Sequence, residues 1–417
     1  MSKFIVKNGG NLNGTIKTEG AKNSALPIIS ASLLTSEKCT LENIPFVSDI
    51  SLMCEILYEL GVNLSKISQN CVEINASKLK SVKPSYDLVS GLRASFLVMG
   101  SLLAREGKAV ISLPGGCRIG TRPVDLHLKG LREMGAEITQ SHGIITARAQ
   151  KMHGAEIYLD YPSVGATENI LMAATLAQGT TIINNAATEP EISDLASFLR
   201  KMGAKIKGDG TERITICGVD NLHGASYSIM PDRIEAGTYL VAAAATGGSV
   251  TIKNCKPAHI KPITAKLGEM GAIITEGNNF VRIDSDKRLK SADISTLPYP
   301  GFPTDMQAQF SALLSIADGT SIVKETVFEN RFLYASALKR MGANIKTEGR
   351  SAIIEGEKQL TGAPVEATDL RAGAALVIAA LSAKGSSEIS EIEHIDRGYF
   401  HMDEKLNSLG AHIIREP

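Results

Sequence analysis

Apolar positions along this chain recur with a helical period, then with a strand period, and the same succession returns six times. Each time the helical stretch ends in an apolar residue, a Gly and then Ala or Val before the next strand. The six junctions are Leu60-Gly61-Val62, Met134-Gly135-Ala136, Met202-Gly203-Ala204, Met270-Gly271-Ala272, Met341-Gly342-Ala343 and Leu409-Gly410-Ala411. Their glycines stand 74, 68, 68, 71 and 68 residues apart, so the pattern describes one unit used six times. The unit opens on an apolar helix, such as Ala94 to Ala104 or Ala236 to Ala245. A short strand follows, such as Ala109 to Leu113 or Ser249 to Lys253, then a loop, a second helix ending at the Gly, and two more strands. Gly at that point is the expected C-cap, because a left-handed residue there costs any side chain with a Cβ.

The sixth copy stops after Ala411-His412-Ile413-Ile414 without the two strands that complete the others. Phe4-Ile5-Val6-Lys7 and Leu12-Asn13-Gly14-Thr15-Ile16 read like Ile144 to Ala147 and His153 to Ile157 of the second copy, so the N-terminus is expected to complete the last unit. This arithmetic predicts two domains of three units: residues 22–230, and residues 1–21 together with 231–417. A chain of 417 residues is too long for one core and long enough for two.

Charge is balanced, 44 basic against 44 acidic residues, with no basic stripe interleaved with aromatics, which argues against nucleic acid as a partner. The N-terminal Met-Ser-Lys-Phe lacks a signal peptide's apolar region. Ala374 to Leu381, the longest strongly apolar run, is far short of the roughly 20 residues of a membrane span. The expectation is a soluble cytoplasmic protein with no obligatory protein partner evident. Neither the six cysteines nor the eight histidines show a ligand spacing, so no metal and no cofactor is expected. Cys39, Cys54, Cys217 and Cys255 lie within or beside apolar segments and read as small buried hydrophobes.

Cys117 differs. It sits in the Gly-rich loop Leu113 to Pro123, where the second copy carries about four residues more than its counterparts. Arg118 and Arg122 beside it favour thiolate over thiol, lowering the pKa from about 8.5 toward the range where one group both gives and takes a proton. A second pattern lies at the starts of the first helices, where Lys22, Arg93 and Arg371 occupy matched positions; a helix N-terminus already attracts anions. Arg122, Arg331 and Arg397 stand in the loops before the second helices. Together they predict an anion-binding floor. Asp305, an acid at the same helix-start position, is a candidate general base or a simple dipole partner. Glu189, Glu191 and His394 are weaker candidates.

Several of these stretches resemble a known family. Pro114-Gly-Gly-Cys-Arg-Ile-Gly-Thr-Arg-Pro-Val-Asp-Leu-His127, Lys22 to Ala25, Ser163 to Thr167, Phe302 to Gln307, Phe328 to Phe332 and Asp369 to Gly373 are similar to those of the UDP-N-acetylglucosamine 1-carboxyvinyltransferases. These are the enolpyruvyl transferases that open bacterial peptidoglycan synthesis, and the likeness runs from Lys3 to Ile414. It implies an α/β fold, a two-domain inside-out α/β barrel of six helix-strand-helix-strand-strand repeats, three per domain, with the active site in the cleft between them. It further implies two small-molecule substrates, phosphoenolpyruvate and UDP-N-acetylglucosamine, and closure over them once the nucleotide sugar binds.

By the same resemblance Cys117 donates a proton to C3 of phosphoenolpyruvate and is the target of fosfomycin, while Asp305 takes the proton of the sugar hydroxyl. Lys22 and Arg397 complete the catalytic set. Phosphoenolpyruvate is expected at Lys22, Asn23, Arg122, Arg371 and Arg397. The nucleotide sugar is expected at Asn23, Arg93, Arg122, Pro123, Val124, Asp125, Leu126, Ser163, Val164, Gly165, Asp305 and Val327. Some members have a lysine just before Ser-Val-Gly, where this chain has Tyr161 and Pro162. The alternatives are a shikimate-pathway enolpyruvyl transferase, which shares the fold but not the cysteine loop, and a non-catalytic nucleotide-sugar sensor.

Overall fold

The computed structural model describes residues 2–7, 9–113, 120, 123–286 and 288–417. Among these, the strands form five four-stranded sheets and one three-stranded sheet, one for each repeat of the sequence. In the fourth repeat, for example, Ser249–Lys253 lies beside the hairpin of Ile273–Glu276 and Phe280–Asp284, with Val250 opposite Ile283. The helix before each hairpin ends as the sequence requires. Gly61, Gly135, Gly203, Gly271, Gly342 and Gly410 all have φ between 91° and 105°, the left-handed region that a Cβ disfavours.

The last strand of each unit leaves its own sheet and pairs in parallel with the first strand of another. Glu156–Tyr158 joins Thr180–Asn184, and Ser226–Ser228 returns to Lys38–Glu42. Ile294–Ser295 joins Thr320–Lys324, and Pro364–Glu366 joins Ser386–Ser390. Where Lys108–Ser112 has no such strand, Val110 N–H still donates to Val82 O at 3.0 Å. The hand-over closes each set of three sheets into a ring. Hydrogen bonds stay within separate sheets, so among the described residues the strands make no continuous closed barrel.

Of the two N-terminal strands only the second obeys this rule. Lys3–Lys7 lies between Ser386–Ser390 and His412–Glu416, antiparallel to both, and fills the gap that the sixth copy leaves. Asn13–Lys17 instead pairs with Ser249–Lys253 of the fourth copy. The two strands expected together in one unit's sheet are thus divided between two sheets.

Contacts divide the chain into two compact units. Among the described residues, the N-terminal unit holds 20–113 and 123–230, and the C-terminal unit holds 2–7, 9–19, 120, 231–286 and 288–417. In the C-terminal unit the first helices of the three repeats, Arg233–Thr246, Gln307–Leu314 and Leu370–Ser382, touch one another and are buried almost throughout. The neighbours of this layer approach it closely: a Cβ on Gly237 would lie 2.7 Å from Ile263 Cδ1 of the second helix Lys261–Glu269 and 3.1 Å from Met306 Sδ. Second helices are amphipathic. Pro190–Lys201 buries Ile192, Leu195, Phe198 and Leu199 and exposes Arg200 and Lys201.

In the N-terminal unit Ala21 N–H donates to Met230 O at 2.7 Å. The buried Asp194 carboxylate braces this place, accepting from Ser24 Oγ at 2.5 Å, Tyr227 OH at 2.7 Å and Met230 N–H at 3.1 Å. Asp194→Ala strands three donors, and is expected to cost this unit about 3 kcal/mol. Urea unfolding followed by circular dichroism checks it, and an unchanged midpoint would refute the bracing role.

Candidate active site

Asp305 stands where an extended residue, Pro303, turns into the short 3-10 stretch Thr304–Met306 and then the helix Gln307–Leu314. The turn is pinned from below by buried Glu325, which accepts from Thr304 Oγ1 at 2.9 Å and from Thr296 Oγ1 at 2.8 Å. From this position Asp305 meets two guanidinium groups. Arg331 Nη2 lies 2.8 Å from Oδ1 and Arg371 Nη2 lies 2.9 Å from Oδ2. The arginine side chains are only 4% and 7% exposed, whereas that of Asp305 is 26% exposed. A buried charge without a partner is unfavourable, so each arginine needs this carboxylate. Burial opposes the charge on Arg371, yet the neighbouring Asp305 holds its pKa above the ordinary value. The result is a partly exposed carboxylate at a helix start, where a hydroxyl brought to it would meet a proton acceptor.

Arg371 belongs to the helix Leu370–Ser382, capped by Asp369, whose Oδ1 accepts from Arg371 N–H at 2.9 Å and Ala372 N–H at 3.1 Å. Half-buried Arg397 follows the short helix Glu393–Asp396, and the corner after it packs on that same helix start. A Cβ on Gly398 would lie 2.6 Å from Leu370 Cδ2, and Tyr399 OH accepts from Arg371 Nη1 at 3.0 Å. Val327, expected to meet the nucleotide through its backbone, already donates its N–H to Glu325 Oε1 at 2.8 Å. Its carbonyl is what it can offer. His394 is half-buried and its backbone N–H bonds Glu391 O.

The N-terminal unit gathers a second group. Lys22 opens the helix Lys22–Ala31, whose N-terminus has no side-chain cap, and Asn23 follows it, half-buried. Lys22 Nζ pairs with Asp49 Oδ2 at 2.8 Å. The basic floor expected from the sequence is therefore partly neutralised: Lys22 faces Asp49, and Arg371 faces Asp305. Half-buried Arg93 begins the 3-10 stretch Arg93–Leu97.

The stretches at 123–126 and 163–165 meet in this unit. Ser163 caps the helix Val164–Ala174 by accepting from Ala166 N–H at 3.3 Å. Val124 precedes the helix Asp125–Glu133, whose His127 approaches so closely that a Cβ on Gly165 would lie 3.0 Å from its Cε1. Asn169 locks the arrangement: its Nδ2 donates to Phe96 O at 2.9 Å and lies 3.1 Å from His127 Nδ1, and its Oδ1 accepts from Gly100 N–H at 2.6 Å. Two neighbouring helix N-termini with partly exposed backbone are a natural seat for a phosphate group. Pro123 and Asp125 are exposed, and Leu126 is half-buried. Tyr161, in the place of the family lysine, is 41% exposed.

Behind Ser163, Glu168 is fully buried. Burial, and then Glu191 and Glu189, push its carboxyl well above the usual carboxylate range. The native state therefore keeps a proton that the unfolded chain gives up, and stability falls as pH rises above the unfolded value of about 4.3. Glu168→Gln is expected to raise the melting temperature, by a margin that widens from pH 5 to pH 7. A margin independent of pH would contradict the neutral state of Glu168.

Cys117, Arg118 and Arg122 lie outside the described residues. Burial pushes up the Cys39 thiol and raises Cys255 to about 12, as suits inert core thiols, while Cys54, expected buried, is only half-buried and is raised to about 11. Cys217 departs from the expectation: it ends the strand Arg213–Cys217 on the exposed face. Asp49 and Tyr399 went unnoticed in the sequence. An acid in the first turn of the second helix was the only available signal for Asp49, and Tyr399 gave none. Among the described residues no group of His, Cys, Asp and Glu could hold a metal ion, and no helix is long and apolar enough to cross a membrane.

The sequence profile of EPSP synthase (3-phosphoshikimate 1-carboxyvinyltransferase) matches residues 6–406. The chain is 57% identical over 415 residues to UDP-N-acetylglucosamine 1-carboxyvinyltransferase 1 of Caldanaerobacter subterraneus subsp. tengcongensis, covering 100% of both chains. It is 54% identical over 417 residues to UDP-N-acetylglucosamine 1-carboxyvinyltransferase 2 of Carboxydothermus hydrogenoformans, covering 100% of this chain and 99% of that one. Among solved structures, the enolpyruvyl transferase NikO from Streptomyces tendae superposes with a TM-score of 0.90 at 25% identity, covering 100% of this chain and 99% of that one. EPSP synthase from Acinetobacter baumannii, at 20% identity and a TM-score of 0.78 over the full length of both chains, shares the fold. With relatives this similar along its whole length and a profile match from 6 to 406, the chain belongs to the enolpyruvyl transferase family, among the UDP-N-acetylglucosamine 1-carboxyvinyltransferases.

Proposed function

We propose that this protein transfers the enolpyruvyl group of phosphoenolpyruvate to the 3-hydroxyl of UDP-N-acetylglucosamine and releases inorganic phosphate, the first committed step of peptidoglycan synthesis. The observation that carries the reading is the Asp305 carboxylate, partly exposed and gripped by two buried guanidinium groups. In the addition, the sugar O–H bond breaks, its proton passes to Asp305, and the oxygen bonds to C2 of phosphoenolpyruvate. Cys117 protonates C3 in the same stage. In the elimination, C3 gives a proton back to the Cys117 thiolate, the C2=C3 double bond re-forms and the phosphate leaves with the electron pair of its C–O bond.

Phosphoenolpyruvate carries a phosphate and a carboxylate, and both call for directional cations. The reading assigns Lys22, Asn23, Arg122, Arg371 and Arg397 to it. The diphosphate of the nucleotide sugar is assigned to the paired helix starts at 123–126 and 163–165, with Arg93 and Val327 as further contacts. The reaction needs no cofactor, and its precursors place it in the cytoplasm.

A second reading is favoured by the profile itself, whose description names the shikimate-pathway enzyme. Phosphate release from phosphoenolpyruvate separates the two. Release is expected with UDP-N-acetylglucosamine and not with shikimate 3-phosphate. The reverse result would establish the shikimate reaction instead, and no release with either acceptor would leave a non-catalytic nucleotide-sugar sensor.

A further inference from the structure

In the C-terminal unit three buried polar side chains, one from each central helix, converge on the hydroxyl of Tyr399. Thr238 of Arg233–Thr246 lies 2.9 Å away, Gln309 Nε2 of Gln307–Leu314 lies 3.3 Å away, and Arg371 Nη1 of Leu370–Ser382 lies 3.0 Å away. Polar groups in an otherwise apolar helical core are tolerated only when hydrogen-bonded. Here the donors assign themselves. The Thr238 hydroxyl proton goes to Ile234 O at 2.8 Å, so its oxygen accepts from Tyr399. Arg371 and Gln309 Nε2 can only donate, so both give hydrogen bonds to the Tyr399 oxygen. Burial holds the phenol neutral, opposed by Arg371, so it keeps the one proton this arrangement requires.

We infer that Tyr399 is a positioning residue for the transfer: its hydroxyl fixes the Arg371 guanidinium so that Nη2 faces Asp305 Oδ2, and thereby sets how firmly Asp305 holds a proton. The inference rests on the base role proposed for Asp305. Arg371 is divided between two acceptors, Tyr399 through Nη1 and Asp305 through Nη2. Without the phenol oxygen, Nη1 is stranded in the core and the guanidinium must turn to find an acceptor. Its contact with Asp305 then loosens, and the carboxylate gains proton affinity. The other groups facing the pair are Arg331 on the second oxygen of Asp305, and Asp232, whose charge acts on both Arg371 and Tyr399. Asp369 caps the Arg371 backbone, and Tyr334 lies near Arg331.

Tyr399→Phe in the full chain removes one oxygen and keeps the ring. The expected result is a kcat about tenfold lower, with both KM values within about twofold, and an acid limb of the kcat profile displaced to higher pH. If Tyr399 acts through Arg371, Tyr399→Phe adds little to Arg371→Lys in the double variant. A profile that overlays the wild type, or losses that multiply, would overturn the inference. Where Tyr399→Phe melts below the assay temperature, Thr238→Val serves instead; it removes the acceptor of the phenol proton and is expected to displace the limb the same way by less. Failure of the underlying reading looks different: wild-type protein releases no phosphate with UDP-N-acetylglucosamine. In that event, carbon-13 titration of the Asp305 carboxyl, assigned with Asp305→Asn, still tests the positioning, and an unmoved midpoint in Tyr399→Phe would sink it.

Discussion

Asparagine at position 305 is expected to lower kcat about a thousandfold, since a positioned general base contributes typically 10²–10⁴. The exchange keeps the shape and one carbonyl oxygen but removes the group that takes the proton. It also turns an amide donor toward one of two guanidinium groups that can only donate, and both arginines are buried. Repulsion there adds a loss of stability of about 3 kcal/mol, the usual cost of breaking a buried pair. Phosphate release under saturating substrates measures the first effect and thermal unfolding the second. Turnover above a tenth of the wild-type rate in a folded Asp305→Asn protein would remove Asp305 from the base role.

Serine in place of Cys117 is expected to cost at least about a hundredfold in kcat and to abolish covalent capture by fosfomycin. A hydroxyl is a far weaker acid than a thiol with a reference pKa of about 8.5, so it gives up its proton too reluctantly to serve C3. Aspartate at 117 separates the two roles proposed for the sulfur. A carboxylic acid still donates a proton, so Cys117→Asp is expected to keep measurable turnover, while its weak nucleophilicity spares it from alkylation. Because that donor must be protonated, its turnover should rise toward acid pH. Intact-protein mass after exposure to fosfomycin decides the matter: a Cys117→Ser protein that still gains the inhibitor would place the reactive group elsewhere.

The six-fold repeat, the left-handed glycines at 61, 135, 203, 271, 342 and 410, and the completion of the last unit by the N-terminus were all legible in the sequence. Each rests on local information: the period of apolar residues, a C-cap that only Gly adopts cheaply, and a strand missing from one copy. The residue types of the candidate site were legible too, through the family resemblance of short motifs. Their partnerships were not. Asp305 meets Arg331 and Arg371 from 26 and 66 residues away, and Lys22 meets Asp49 from 27 residues away.

Nothing in a helix-start pattern says that a cation is already held by a carboxylate, because such pairs form only when separate helices are packed. The exchange of edge strands was hidden for the same reason. Asn13–Lys17 reads equally well as a strand of the sixth unit or of the fourth, and only closure of the three-sheet ring selects the fourth. Local propensity and capping thus determined the elements and their repetition. Burial of the helix starts, where a charge must find a counter-charge or leave, decided which of the predicted cations and acids came to pair.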